Sequence, residues 1–248
     1  MRLLHVLHSV TNTQLARLNL TVCRRDSVPS IERLFSYLRG SKLAPKTIID
    51  VGVADGTEWL YEAFPEAKFH LIDPTRESIP HMQAWKQKLN VEVHNVALGA
   101  EDGVAEIAKS NNIGHASLLR LLPNIDYPME QRYRVPVRRF DSLFPSMQGP
   151  ALCKIDVEGA ELSVLKGMGE QIHSLDVILV ETSVTSLFQD GPELRDIMAY
   201  MAKYQFSLFD TGTSKNNCGM TLPDCSRSAD CGCATSATVA RSSATSSE

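Results

Sequence analysis

Short apolar runs alternate with amphipathic segments along most of the chain. In the first half, residues 46–52 (KTIIDVG), 68–73 (KFHLID) and 91–98 (VEVHNVAL) predict buried strands. Residues 57–64 and 78–89, which lie between these runs, predict helices. Strands that alternate with helices are typical of parallel βαβ units, so the pattern predicts an α/β fold.

The same alternation returns in the second half of the chain. Residues 151–156, 176–181 and 206–210 predict strands, and residues 160–168 and 192–204 predict the helices that connect them. We therefore expect a mostly parallel sheet with helices on both faces.

The middle of the chain, residues 99–145, is less regular. Residues 104–108 (VAEIA) and 134–140 (RVPVRRF) predict short strands. Residues 111–128 between them predict a long loop with a helical turn, and we expect this loop to cover the ligand crevice of the sheet.

The two ends of the chain differ from this pattern. Residues 1–29 predict a lead-in helix rather than an export signal, because the apolar run from Leu3 to Val10 is interrupted by polar side chains and no small-residue cleavage site follows. Residues 211–248 are rich in Cys, Ser, Thr and Ala without periodicity, which predicts disorder. One domain is expected over residues 30–210, beginning with a helix.

Composition and charge narrow the possibilities. The 248 residues suffice for one α/β domain. A formal net charge of −4 offers no basic field for nucleic acid, and no apolar run approaches the roughly 20 residues of a membrane span. Cys153 lies in an apolar run, where a buried free thiol is usual, so we expect a reduced, cytoplasmic protein. Nothing in the sequence indicates the oligomeric state.

The segment IIDVGVADGT is the first candidate for chemistry. It passes from an apolar strand through Asp50, Gly52, Ala54 and Gly56 into a helix that begins near Thr57. Ligands of open α/β sheets bind at such a strand end, and glycines there allow the backbone to approach a cofactor closely. A tight turn without a ligand is the alternative.

Two cofactor classes compete for this loop. A dinucleotide requires G-x-G-x-x-G, and the required third glycine is missing here. Asp50 would repel a pyrophosphate but would suit the ammonium and sulfonium of S-adenosylmethionine. We therefore favour the methyl donor over NAD, and an NAD-dependent oxidoreductase is the rival function.

Asp73 ends the second predicted strand, 23 positions after Asp50. A carboxylate at about this distance binds ribose hydroxyls in nucleotide-binding sheets. Because Pro74 follows and a helix starts soon after, a helix cap is the alternative interpretation.

The stretch KIDVEGAELSVLKGM carries the candidate acceptor side. Asp156 ends a predicted strand and Glu158 follows it, whereas Glu161 falls at a helix start, where carboxylates are favoured for structural reasons. Asp156 is a candidate for orienting the donor or for general-base chemistry. Glu181 lies at the next strand end, but no third ligand for a divalent metal is evident, so no metal is expected.

His115 lies in the long loop and has the unperturbed pKa that suits a base for a hydroxyl acceptor. A histidine on a surface loop is the alternative. We accordingly predict Asp156, Glu158 and His115 as catalytic residues, and Asp50, Gly52, Ala54, Gly56, Thr57 and Asp73 as cofactor-binding residues.

The chain resembles the FkbM-type methyltransferases. IIDVGVADGT, HNVALGAEDG, GHASLL, RRFDSL and above all KIDVEGAELSVLKGM followed by ILVET carry the resemblance, over roughly residues 30–210. It implies a class I methyltransferase Rossmann-like fold, S-adenosylmethionine as methyl donor, and a hydroxyl on a glycan, lipid or natural product as acceptor. The family usually has Asn at position 54 and Glu at position 73, and the chain after Asp210 does not resemble its closing strand.

The C-terminal cysteines suggest one more rival, a metal-binding module. Their spacing, C-x6-C-x5-C-x-C, matches no common zinc pattern. Incidental thiols in a disordered tail are the preferred interpretation.

Overall fold

The computed structural model describes residues 31–125, 129–212 and 234–241. The lead-in helix predicted over residues 1–29 and the four cysteines of the C-terminal stretch lie outside these residues.

Eleven strands and six helices are described. The strands are β1 (Thr47–Val51), β2 (Lys68–Ile72), β3 (Asn90–His94), β4 (Ala97–Leu98), β5 (Gly103–Lys109), β6 (Ala116–Ser117), β7 (Gln131–Arg138), β8 (Ala151–Ile155), β9 (Val177–Ser183), β10 (Phe206–Gly212) and β11 (Ala234–Arg241). The helices are α1 (Ile31–Arg39), α2 (Glu58–Ala63), α3 (Ser78–Lys86), α4 (Phe140–Leu143), α5 (Glu161–Gly167) and α6 (Leu194–Lys203), and a 3₁₀ helix covers Gly169–Ser174.

Seven strands form the main sheet in the order β3-β2-β1-β8-β9-β11-β10. The five strands from β3 to β9 pair in parallel, and β11 is antiparallel to both of its neighbours. The strand order reverses between β1 and β8, which is where such sheets open a crevice for ligands. The predicted α/β fold, a mostly parallel Rossmann-like sheet with helices on both faces, is confirmed.

Helices cover both faces of the sheet, as the alternation along the strands requires. In β1, Ile48 packs into a core with α1, α2 and α3, whereas Ile49 packs into a second core with α4, α5 and α6. Leu152 and Cys153 in β8 divide in the same way. All five residues of β1 and of β8 are buried, which explains why these strands are mostly apolar. Their two charged residues, Asp50 and Lys154, pair with each other.

A second, smaller sheet of four strands has the order β4-β7-β5-β6. The segment VEVHNVAL, predicted as one strand, is divided between the two sheets. Its break is at Asn95, whose side-chain amide donates to the carbonyl oxygens of Asp73 and Thr75 at 2.8 and 3.0 Å. These bonds end β3 and allow β4 to start in a new direction.

The prediction of a disordered C-terminal tail is wrong for Ala234–Arg241. These residues form β11, which lies between β9 and β10 and pairs with both along its length. The side chain of Val239 is fully buried in the core beneath α6. The closing strand that the sequence did not reveal is therefore present, and its backbone pairing on both edges compensates for its small side chains.

The described residues include no helix with the length and apolar character needed to cross a bilayer.

Candidate active site

A cavity of about 420 Å³ opens at the carboxyl ends of β1, β2, β8 and β9. Its walls are the loop after β1, the turn after β8, part of α1 and the loop between β5 and β6. The volume is within the range of small-molecule sites, which is roughly 300–1,000 Å³. The loop over residues 111–128, which the sequence predicted to cover the crevice, thus contributes to the wall of this cavity.

Gly52 and Gly56 line this cavity, but the space beside each of them is filled by the protein. A Cβ on Gly52 would lie 1.6 Å from the backbone oxygen of Asp156, and one on Gly56 would lie 2.7 Å from Nε1 of Trp85. Both glycines have positive φ, 82° and 129°. Packing alone therefore requires these glycines, because the residue after β8 and Trp85 of α3 occupy the space of a side chain. That they also let a cofactor approach the backbone stays a prediction.

The loop is held in shape by Asp73. One carboxylate oxygen accepts from the backbone N–H of Ala54 at 2.9 Å, and the other accepts from the N–H and the hydroxyl of Thr75 at 2.8 and 2.6 Å. Ala54 itself has a φ of 50°, an unfavourable value for a residue with a side chain. The bond from Asp73 stabilises this conformation.

The helix-cap interpretation of Asp73 is wrong, because α3 begins at Ser78 and Glu77 occupies its N-cap position. Asp73 closes a turn instead and lines the cavity. A carboxylate has about four acceptor positions, of which three are used here, so one remains for a ligand. Thr57, at the N-cap of α2, also lines the cavity.

Asp50 does not line the cavity, contrary to the expectation that it meets a cationic ligand. Its side chain is fully buried. One oxygen accepts from the hydroxyl of Tyr61, and the other lies 3.2 Å from Nζ of Lys154. Burial and the adjacent Asp50 charge raise the pKa of Tyr61. The phenol therefore stays protonated and donates a hydrogen bond to Asp50.

Lys154 lies between two carboxylates, that of Asp50 in β1 and that of Asp156 directly after β8. Its Nζ donates to the carbonyl oxygen of Gly52 at 2.8 Å and lies 3.2 Å from carboxylate oxygens of both Asp50 and Asp156. Burial alone would lower the pKa of Lys154, but the charges of Asp156 and Asp50 outweigh it and raise the pKa. Asp50 therefore acts on the cavity indirectly, because it helps to fix the cation beside Asp156.

Carboxyl groups dominate the cavity wall after β8. Burial and the charges of Asp156 and Glu181 raise the pKa of Glu158 to about 8. Burial and the charge of Asp156 raise the pKa of Glu181 to about 7. Glu181, at the end of β9, was not among the predicted site residues, and its position one strand from Asp156 in the ILVET segment was the available signal.

Glu161 lies outside this wall. Its carboxylate accepts the N–H of Gly159 at 2.9 Å, and its side chain is buried at the start of α5. Burial raises its pKa to about 7. This arrangement agrees with the structural role that the sequence predicted.

His115 lines the same cavity as Asp156 and Glu158, so the structure brings the three predicted catalytic residues together. Burial lowers the pKa of His115, and the charge of Asp156 opposes this effect only in part. The imidazole is therefore neutral at pH 7. The loop that carries it is fastened by Ser117, whose hydroxyl donates to the carbonyl oxygen of Glu158 at 2.6 Å.

Comparison with known proteins gives one family. The sequence model described as "Methyltransferase FkbM domain" matches residues 50–208. No curated protein sequence matches the chain.

Solved structures with a similar fold include two methyltransferases. Magnesium protoporphyrin IX methyltransferase (ChlM) from Synechocystis PCC 6803, with bound SAM, has a TM-score of 0.45 and 13% identity over 85% of this chain and 77% of that chain. The 1,6-didemethyltoxoflavin-N1-methyltransferase from Burkholderia thailandensis has a TM-score of 0.41 and 13% identity over 84% of this chain and 76% of that chain.

Proposed function

The chain belongs to the FkbM family of methyltransferases, whose methyl donor is S-adenosylmethionine, and on this premise we propose that it methylates a hydroxyl group. The acceptor class is a glycan, a lipid or a natural product. The observation that carries the proposal is that a neutral histidine, His115, and the carboxylate of Asp156 line one cavity at the carboxyl edge of the sheet.

The charge of the cavity fits a cationic donor. Six acidic residues line it, and Lys154 is the only lysine or arginine among the described lining residues. The acids are Glu32, Asp55, Asp73, Asp156, Glu158 and Glu181, of which Glu158 keeps its proton at pH 7. Because Lys154 is already paired with two carboxylates, the wall attracts an ammonium or sulfonium and repels the pyrophosphate of a dinucleotide. This favours the methyl donor over NAD.

S-adenosylmethionine supplies a methyl group on a positively charged sulfur. The residues of the chain position the reactants and exclude water, since alignment is the main contribution that a protein makes to such a transfer. Asp73 offers its remaining acceptor position to ribose hydroxyls, and Ala54 and Thr57 form the adjoining wall. Asp156, held by Lys154, faces the positive end of the donor.

The acceptor hydroxyl needs a base, because a neutral hydroxyl is a poor nucleophile. His115 accepts its proton, since burial keeps the imidazole neutral at pH 7. Glu158, whose pKa is about 8, keeps its own proton at pH 7 and donates a hydrogen bond that orients the acceptor oxygen.

The proposal is tested with methyl-labelled donor and a panel of hydroxylated glycans, lipids and polyketides. Each compound is paired with its deoxy analogue and with an analogue that carries an amine in place of the hydroxyl. We expect label in a hydroxylated compound and in neither analogue. Equal transfer to the amine would overturn the assignment to oxygen, and calorimetry that gave tighter binding of NAD than of S-adenosylhomocysteine would overturn the donor.

A further inference from the structure

Two histidines and a glutamate meet on the outer part of the main sheet, away from the cavity. His70 is in β2, and Glu92 and His94 are in β3, the edge strand of the sheet. His70 is opposite Glu92 in the parallel register, and His94 follows two residues later. Because side chains alternate between faces with a period of two, all three lie on one face.

Their ligand atoms converge. Nδ1 of His70 lies 3.1 Å from Nε2 of His94 and 3.3 Å from a carboxylate oxygen of Glu92, and all three ligand atoms lie within 4.8 Å of one another. Two nitrogens bound tetrahedrally to Zn²⁺ at about 2.0–2.1 Å stand about 3.3–3.4 Å apart. The two separations from His70, 3.1 and 3.3 Å, are close to that length.

The surroundings fix these side chains and leave one side open. The ring of Phe144 packs edge-on against both imidazoles, with centroids 4.9 and 5.6 Å away. The second carboxylate oxygen of Glu92 pairs with Nζ of Lys68 at 2.8 Å. The side chain of His70 is 10% exposed and that of Glu92 is 52% exposed, so a cation and a water molecule can reach the site from solvent.

The two imidazoles already contact each other through ring nitrogens. Nδ1 of His70 and Nε2 of His94 form a hydrogen bond of 3.1 Å, and a cation bound between them would replace the proton that this bond shares. The positive charge of Lys68 opposes a cation here, but its Nζ contacts Oε1 of Glu92, whereas Oε2 contacts His70.

We propose that His70, Glu92 and His94 form a binding site for a divalent cation of the zinc type, with solvent as the remaining ligand. Imidazole and carboxylate are ligands that Zn²⁺ accepts, whereas Mg²⁺ requires oxygen ligands. The cation joins the edge strand β3 to β2. The site is separate from methyl transfer, since none of its three residues lines the cavity.

The test is a calorimetric titration of the chelator-treated full-length chain with Zn²⁺. A background that carries C218S, C225S, C231S and C233S removes the contribution of the C-terminal thiols. We expect one Zn²⁺ per chain and a rise in melting temperature on binding. In His94→Gln and in Glu92→Gln, affinity should fall by more than the roughly 10–100-fold that loss of an outer partner of a metal site costs.

A matched control replaces an exposed imidazole elsewhere, His81→Gln in α3, and should bind Zn²⁺ like the parent. Mg²⁺ should give no heat in any variant at the same concentrations. The proposal is overturned if the parent binds no Zn²⁺, or if His94→Gln and Glu92→Gln, folded by circular dichroism, bind it as tightly as the parent does.

Discussion

The hydroxyl of Ser117 donates to the backbone carbonyl of Glu158 at 2.6 Å, and this bond joins the small sheet to the main one. Ser117 is the last residue of β6, and Glu158 follows β8 with a φ of 51°. The bond thus couples the loop that carries His115 to the turn that carries Asp156. We expect this bond to help set the distance between the two catalytic candidates.

Ser117→Ala should lower turnover more than donor affinity. The partly buried carbonyl of Glu158 loses its partner, which costs about 1 kcal/mol, and a displacement of the His115 loop by about 1 Å can slow the reaction up to ~100-fold. Steady-state kinetics with labelled donor and calorimetry with S-adenosylhomocysteine separate the two effects. Ser142→Ala, at an exposed serine of α4, is the control. Unchanged turnover in Ser117→Ala would show that the bond does not set the geometry.

Asp73→Ala should weaken binding of S-adenosylhomocysteine by roughly 1.5–3 kcal/mol, because charge-assisted hydrogen bonds to ribose are lost. It should also lower the melting temperature, since the N–H of Ala54 loses its acceptor. Thr75→Val removes only one internal bond of the carboxylate and should leave the affinity nearly unchanged. An affinity loss below about 0.5 kcal/mol in Asp73→Ala would restrict Asp73 to a structural role.

Gly52→Ala should destabilise the fold itself. Its Cβ would overlap the backbone oxygen of Asp156, and a φ of 82° is unfavourable for any residue with a side chain. Overpacking and backbone strain each lower the free energy of unfolding by about 1–3 kcal/mol. Urea unfolding of the variant and the parent would measure this loss. Gly103→Ala has open space around its Cβ and should stay within about 0.5 kcal/mol of the parent. A Gly52→Ala variant as stable as the parent would contradict the close packing of β1 on β8.

Removal of the residues after Thr213 deletes β11 and should lower the melting temperature sharply or abolish soluble expression. The loss exposes the edges of β9 and β10 and removes the buried side chain of Val239. A shorter truncation after Arg241 leaves β11 intact and should have little effect on the melting temperature. If both truncations melt like the parent, β11 does not contribute to the folded sheet.

The pH profile of turnover should have two limbs with different causes. Activity should rise with pH through the pKa of His115, which burial lowers below its ordinary value of 6.5, because the base works only when it is unprotonated. Activity should fall above pH 8, where Glu158 loses the proton that it donates.

Two variants assign these limbs. His115→Ala should lose the acidic limb together with about 10²–10⁴-fold of the rate, and Glu158→Gln should lose only the alkaline limb, because an amide still donates. A His115→Ala variant with an unshifted acidic limb would place the base elsewhere.

The parallel core of the fold follows directly from the sequence. Strands β1 and β8 are buried on both faces, and such strands are recognisable as nearly continuous apolar runs, here Ile48–Ile49 and Leu152–Cys153. The position of Asp73 and Asp156 in the cavity wall was predictable in the same way, because each of them follows a strand of the parallel sheet.

The sequence fails where tertiary context decides. Asp50 stands two residues before Gly52, where a cofactor-binding carboxylate was expected. Its side chain instead points to Tyr61 and Lys154, which belong to other elements. The strand break at Asn95 depends on acceptors 20 and 22 positions away. The segment ATSATVAR has only one large apolar side chain, and it forms β11 because two neighbouring strands supply its hydrogen bonds.

The place of β11 also sets the order in which the molecule can be completed during synthesis on the ribosome. β9 and β10 emerge long before Ala234–Arg241, yet they are not neighbours in the finished sheet. Until Arg241 has left the exit tunnel, one whole edge of β9 keeps its backbone N–H and C=O groups unpaired. Such an edge is a template for strands of other chains. The edge of β9 is therefore open to aggregation until β11 has emerged and paired, and chaperone access over that interval should raise the yield of folded protein.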